Sequence, residues 1–174
     1  VPRYGVGAES LGLLDGERLW THSRSELAVL PGLDRLGNWI IYRRGGTSPA
    51  LLNTVNGEVS SPFDAEDFVP RFSPDGRFLL GSARQQHFLY SVGDWNPLHA
   101  SYVAGSSERY MAPAAWSSDS RTVALYDDQD GIIVRDVKAW RDIVRLTTPQ
   151  PSLFTTLAFS PGRRWLAAGT DQGS

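Results

Sequence analysis

The chain of 174 residues carries 17 Lys and Arg against 19 Asp and Glu, a net charge of −2, and contains no cysteine. Mixed, near-neutral charge argues against a dedicated nucleic-acid surface, which needs a concentrated basic stripe, and the lack of cysteine removes disulfide and thiolate chemistry. A chain of this length can bury roughly 70% of its unfolded surface, enough for one self-sufficient domain, and every apolar run is far shorter than the ~20 residues of a membrane helix.

At the N-terminus, Val1-Pro2-Arg3-Tyr4-Gly5 lacks the basic-then-apolar pattern of a secretory leader and does not begin with Met. The expectation is a fragment or processed chain with a cytoplasmic location. Glu9 to Leu14 and Glu17 to Thr21 then read as strands around Asp15-Gly16, a dipeptide suited to a two-residue type I′ hairpin turn because both central residues need positive φ. Strands follow over Glu26 to Leu33, Asn38 to Arg43, Ala50 to Val55 and Glu58 to Phe63, the last two joined by Asn56-Gly57 in the same manner. The next group covers 68–73, 77–83, 87–92 and 97–103, and the one after it Tyr110 to Ser117, Arg121 to Tyr126, Gly131 to Val137 and Asp142 to Thr147. Two strands within Leu153 to Thr170 end the series. Gly, Pro and β-branched residues interrupt every candidate helical window.

A turn-then-strand phrase punctuates this order. Phe72-Ser73-Pro74-Asp75-Gly76-Arg77-Phe78 returns as Trp116-Ser117-Ser118-Asp119-Ser120-Arg121-Thr122 and as Phe159-Ser160-Pro161-Gly162-Arg163-Arg164-Trp165, with a weaker copy at Leu33-Asp34-Arg35-Leu36-Gly37-Asn38-Trp39. Pro, Asp and Gly supply tight-turn chemistry, with Gly76 in the left-handed position. Each complete unit therefore holds four short strands, a to d, in 40 to 45 residues, which is the period of a β-propeller blade. The predicted fold is all-β: a propeller of four-stranded antiparallel blades, about four per chain, in a single domain or propeller fragment over 1–174. The units are 26–65, 68–105, 110–147, and a blade split between 153–170 and 5–22. The split allows the N-terminal c–d hairpin to complete the C-terminal a–b hairpin in a four-bladed ring. Alternatively, two copies complete each other in an eight-bladed ring, or the chain is part of a longer propeller.

Phe72 to Gly76, Phe159 to Gly162 and the strand-c run Gly131-Ile132-Ile133-Val134-Arg135-Asp136-Val137 resemble the WD-repeat β-propeller family. In that family strand c commonly ends in Trp-Asp; here Asp136 matches the Asp, Arg135 stands at the Trp, and the pair becomes Tyr90-Ser91 and Asn53-Thr54 in the earlier units. No unit has the family's Gly-His pair. TolB-like propellers share the Ser-Pro-Asp-Gly turn, and quinoprotein-type repeats resemble Leu14 to Trp20. The resemblance implies a non-catalytic scaffold for protein partners, among them another copy of the chain or missing blades. It implies no cofactor, nucleic acid or membrane.

Residues that recur in one column read as structural: Arg77, Arg121 and Arg164 as turn decoration, Trp39, Phe78 and Trp165 as rings packed between blades, Trp116 as core, and Trp95 and Trp140 as packing against strand d. Working residues are sought where the repeat breaks, in the b–c connections, which share one face of a propeller. Arg43, Arg44, Arg84, Gln86 and His87 make the first two units positive or polar there, and Asp127, Asp128, Asp130 and Asp171 make the last two negative. Such a face suits a partner with its own split charge. The d–a loops add Asp64 to Asp67 and Glu108 to Tyr110. No catalytic or metal residue is assigned: there is no Gly-x-Ser-x-Gly elbow, and Asp128-Gln129-Asp130-Gly131 lacks the downstream Glu of a calcium loop. The alternative is a propeller-scaffold hydrolase, or a domain of a larger enzyme, with its site at the central channel mouth, where distant acids converge.

Overall fold

The computed structural model describes residues 6–11, 18–23, 28–34, 36–43, 49–63, 69–83, 86–102, 113–127, 131–147 and 154–170. All regular structure among them is antiparallel sheet, and no helix among them is long and apolar enough to cross a membrane. The chain divides into two compact units, Val1–Phe68 and Val69–Ser174.

The first unit holds a hairpin, β1 (Val6–Leu11) with β2 (Arg18–Ser23), and a four-stranded blade. This first blade runs β3 (Ala28–Leu33), β4 (Trp39–Arg43), β5 (Pro49–Asn53) and β6 (Val59–Ser60) in that spatial order. Tyr42, Ala50 and Leu52 form its buried cluster, with Ile40 packed against them.

The second unit holds two full blades and a half. The second blade is β7 (Val69–Phe72), β8 (Phe78–Ala83), β9 (Gln86–Ser91) and β10 (Pro97–Tyr102), and the third is β11 (Ala114–Trp116), β12 (Thr122–Asp127), β13 (Gly131–Asp136) and β14 (Arg141–Leu146). β15 (Phe154–Phe159) and β16 (Leu166–Thr170) form the half-blade. Its cores are layers between blades. Leu80 and Leu89 of the second blade pack with Ala114, Val123, Leu125 and Val137 of the third, and Ala124, Tyr126 and Ile132 of the third pack with Phe154 and Leu157 of the half-blade. An inner strand is thus covered on both faces, which is why Val123 to Tyr126 is apolar without alternation. Each fully buried leucine, such as Leu79, Leu80 or Leu89, contributes on the order of 1.5–3 kcal/mol.

The recurring phrase has a physical cause. At the head of each a–b turn a side chain accepts the amide that restarts strand b: Asp34 Oδ1 from Trp39 (2.9 Å), Ser73 Oγ from Phe78 (2.9 Å), Ser117 Oγ from Thr122 (3.0 Å) and Ser160 Oγ from Trp165 (3.1 Å). Asp75 and Asp119 brace the turn by accepting from the Ser73 and Ser117 hydroxyls and from the amides of Arg77 and Arg121. The fourth turn residue is left-handed every time: Gly37, Gly76, Ser120 and Arg163, with φ of 74°, 73°, 60° and 57°. In the half-blade it is therefore Arg163, not Gly162, that takes this conformation.

The c–d turns differ from the two-residue form expected at Asn56-Gly57. Gly57 N donates to Asn53 O (2.8 Å) and Asn53 N to Glu58 O (2.9 Å), so Thr54 to Gly57 form a longer turn whose last residue is left-handed. Trp95 and Trp140 hold the same place at φ of 55° and 48°. A side chain ending strand c explains the choice: Asn53 Oδ1 accepts the amide of Val55, and Asp136 Oδ1 that of Ala139, folding the chain into the turn. The Asp15-Gly16 turn and the end of the strand expected up to Leu14 lie outside the described residues.

Candidate interaction face

The two ends of each blade are chemically distinct. The amide of the first c–d turn residue bonds a carbonyl of the a–b turn in each full blade, Thr54 to Asn38, Val92 to Arg77 and Val137 to Arg121, so both turns share one end. The b–c connections leave from the other. In the second unit, neighbouring blades are tied at the turn end by Asp75 N to Ser120 Oγ (3.0 Å), Ser118 Oγ to Pro161 O (2.8 Å) and the Arg163–Asp119 ion pair.

At the b–c end the tie is His87. Its Nε2 donates to the Tyr126 carbonyl of the next blade (3.2 Å), which leaves Nδ1 to accept from Ser82 Oγ (2.8 Å). Ser82 and His87 face each other directly in the β8–β9 register. Burial holds the imidazole neutral, lowering its pKa from 6.5 to about 4. His87 is 1% exposed, so its expected place on the interaction surface is corrected: as the second residue of β9 it already points into the inter-blade layer. The pair resembles a nucleophile and base only in composition. Both ring nitrogens are engaged, the outer one by a backbone carbonyl, and both residues are buried away from any substrate.

Beside the c–d turn of the third blade, Arg135 centres a polar and aromatic joint. Its guanidinium bonds Asp142 Oδ1 (2.8 Å from Nε), reaches Ser101 Oγ on the preceding blade, and lies 5.2 Å from the ring centroid of Trp140. Trp140 stacks on His99 of that blade at 4.9 Å and 7°, and its Nε1 donates to Ser101 Oγ (3.1 Å). Burial pushes the Asp142 carboxyl up, but the bonds and charges of Arg135 and Arg145 outweigh it and hold the group below the usual carboxylate range. Trp140 thus packs on strand d of the neighbouring blade, through its left-handed backbone. The register also places Asn53, not Thr54, opposite Trp39, as Ser91 faces Phe78 and Asp136 faces Thr122, so the first blade's counterpart of Trp-Asp is Leu52-Asn53.

The expected surface residues distribute as follows. Arg43 ends β4 in the first unit. Gln86, exposed, begins β9, and Asp127, half-buried, ends β12. Arg44, Arg84, Asp128, Asp130 and Asp171 lie outside the described residues. In the second unit the ends of β8 and β12 and the starts of β9 and β13 lie at the end tied by His87 to Tyr126. Arg77, Arg121 and Arg164 are exposed on turns, as their column suggests. Phe78 packs between blades, stacked on Trp116 at 6.3 Å and 15°, but Trp165 in the same column is 74% exposed, because no strand among the described residues follows the half-blade. The Ser82–His87–Tyr126 tie is the site feature that sequence reasoning missed; its one signal is a His opposite a Ser across a b–c hairpin. Among the described residues no three His, Asp or Glu side chains form a group able to hold a metal ion.

No family model matches the chain, and no curated protein matches its sequence. Among solved structures, 807 chains match, so the architecture is a widely used one. One of them, in the crystal structure of the mitotic checkpoint complex, aligns with a TM-score of 0.64 at 18% identity over 82% of this chain and 44% of its own length. The fold is a WD-repeat-like β-propeller of about four blades, and the chain spans less than half of that solved relative in architecture.

Proposed function

We propose that the chain is a non-catalytic platform for protein partners, with its working surface at the b–c end of the blades. One observation supports this reading above the others. In the second unit both ends of adjacent blades are fixed to each other, by His87 at one end and by the Asp75–Ser120 and Ser118–Pro161 bonds at the other. The strand ends that carry the b–c connections of the second and third blades are therefore held in a fixed mutual geometry, a rigid base of the kind that suits a composite surface built from several blades.

The chemistry of that surface is polar and divided in sign, Arg84 and Gln86 on one blade against Asp127, Asp128 and Asp130 on the next. A partner carrying complementary charges would be oriented by it, and its association would slow as salt rises. The test compares proteins retained by the immobilised chain with those retained by an Arg84→Glu, Asp128→Lys, Asp130→Lys variant, using an Arg77→Glu, Arg121→Glu variant of the turn end as control. Partners lost with the first variant and kept with the second support the reading. Equal retention by both sinks the assignment of the b–c end.

A further inference from the structure

The turn end of the third blade carries more positive charge than its acids balance. In Ser117 to Arg121, Asp136 to Arg141 and Ser160 to Arg164, which are the two turns of that blade and the a–b turn of the half-blade, five cations stand against two acids. That is an excess of three in a chain whose net charge is −2. Both acids are already engaged. Asp119 accepts from the Ser117 hydroxyl and the Arg121 amide, is ion-paired with Arg163 and lies 4.0 Å from Arg121 Nε, so one carboxylate serves two guanidiniums. Asp136 Oδ1 accepts the Ala139 amide inside the c–d turn (2.6 Å), and Asp142, just beyond Arg141, is held by Arg135 in the joint between blades (2.6 Å). Lys138, Arg141 and Arg164 are exposed and make no ion pair among the described residues, and the Arg121 side chain is 83% exposed.

These three turns keep a fixed spacing. Ser118 Oγ donates to Pro161 O (2.8 Å), Arg163 crosses to Asp119, and Val137 N donates to Arg121 O (2.9 Å). The backbone under the cations is thus braced before any partner arrives, which keeps the ordering cost of binding to the side chains. The excess is confined to this side of the second unit. In the second blade Arg77 is paired with Asp75 (2.7 Å), and the c–d turn from Ser91 to Asn96 adds Asp94 with no cation.

We infer that this surface holds an acidic segment of a partner protein, with several of its Asp or Glu carboxylates lying against Arg121, Lys138, Arg141 and Arg164. A guanidinium takes a carboxylate in a two-pronged fork, so three arginines and a lysine on braced turns suit carboxylates spaced along a chain. Each exposed pair adds little by itself, and affinity comes from engaging several together while the local excess of charge speeds the encounter. Nucleic acid fits less well, because Asp119 and Asp136 interrupt the cations where a phosphate backbone needs a continuous basic stripe. The surface lies at the opposite end of the blades from the b–c connections, and the inference does not rest on the role given to those connections.

Fluorescence anisotropy with a fluorescein-labelled oligoglutamate peptide tests it. The natural chain should bind the peptide at low salt and lose it as ionic strength rises from about 0.05 to about 0.5 M. Arg121→Glu, Lys138→Glu, Arg164→Glu, all at exposed sites, should weaken binding by about tenfold or more with an unchanged circular dichroism spectrum, and the neutral Arg121→Gln, Lys138→Gln, Arg164→Gln protein should fall between the two. No binding by the natural chain at low salt, or equal binding by the charge-reversed protein, overturns the inference. An oligothymidylate of equal charge held more tightly than the peptide also overturns it, in favour of nucleic acid. The Arg84→Glu, Asp128→Lys, Asp130→Lys protein should bind the peptide no more weakly than the natural chain. Loss of the peptide there would place its site at the b–c end instead, so the two readings fail separately.

Discussion

Acidification between pH 6.5 and about 4 should weaken the fold through one buried side chain, His87. Burial between the second and third blades is the main cause of its low pKa; the bond to the Tyr126 carbonyl opposes the shift, Arg135 and Arg71 add to it, and Asp127 opposes it. In the unfolded chain the imidazole takes up its proton near 6.5, in the folded chain only near 4. Between those values the unfolded state binds more protons, so stability falls as pH falls; the contribution is intact above 6.5 and gone near 4. The gap corresponds to about 3 kcal/mol in full, and to about 2 kcal/mol by pH 5. Against the ~5–15 kcal/mol that hold a typical domain, this is readily measured.

Urea unfolding followed by tryptophan fluorescence at about pH 7.5, 6 and 5 gives the slope, and His87→Leu isolates its source. The variant should lose roughly 1–3 kcal/mol at neutral pH, because the Ser82 hydroxyl loses its acceptor and the Tyr126 carbonyl this donor, yet its stability should depend less on pH over the window. Asp75, Asp119 and Asp142, whose pKa values are lowered on folding, also make acid destabilising. Their effect begins only as pH drops toward the ordinary aspartate value of about 3.9, below this window. Equal slopes for the natural chain and the variant, or a His87 ring that titrates near 6.5 by NMR, would refute the account.

Two further outcomes follow from the turns. Gly131→Ala should cost well over about 2 kcal/mol by urea unfolding, since φ is 82° and a Cβ would stand 2.5 Å from the Leu146 carbonyl oxygen, whereas Gly37→Ala, at φ 74° with nothing within 4 Å, should cost only the left-handed penalty of ~1–2 kcal/mol. Ser73→Ala removes the acceptor of the Phe78 amide and a donor to Asp75 at a buried position, and should cost roughly 1–3 kcal/mol, with an unchanged spectrum in far-ultraviolet circular dichroism.

The blades were legible in the sequence because their turns leave little choice. A side chain able to cap strand b, an Asp to brace the turn and a residue that tolerates positive φ must recur at fixed places, and Ser73, Asp75 and Gly76 are the cheapest solution. The c–d turn was misread at Asn56-Gly57 for a related reason. Asn-Gly satisfies a two-residue turn, but the same Gly also closes a longer one, and the deciding group is the side chain of Asn53, the last residue of β5, three residues before Asn56. His87 was misplaced because a polar residue near a strand start looks like a loop residue until its cross-strand partner Ser82 and the carbonyl of Tyr126, 39 residues on, are seen together. Trp165 shows the limit of column reasoning: ring and position match Phe78, but burial depends on a neighbour that the column does not encode.

Backbone demands outlast side-chain solutions in this chain. Where the WD repeats that this chain resembles carry Trp-Asp, strand c of the third blade carries Arg135-Asp136, and a joint between blades is present all the same. Arg135, held by Asp142 of its own blade, supplies it through Ser101, and Trp140 reaches the same neighbour from the end of the turn. Such a joint can be rebuilt from many residues because it needs only buried contact and paired polar atoms. The left-handed site cannot move, because one residue of displacement changes the turn.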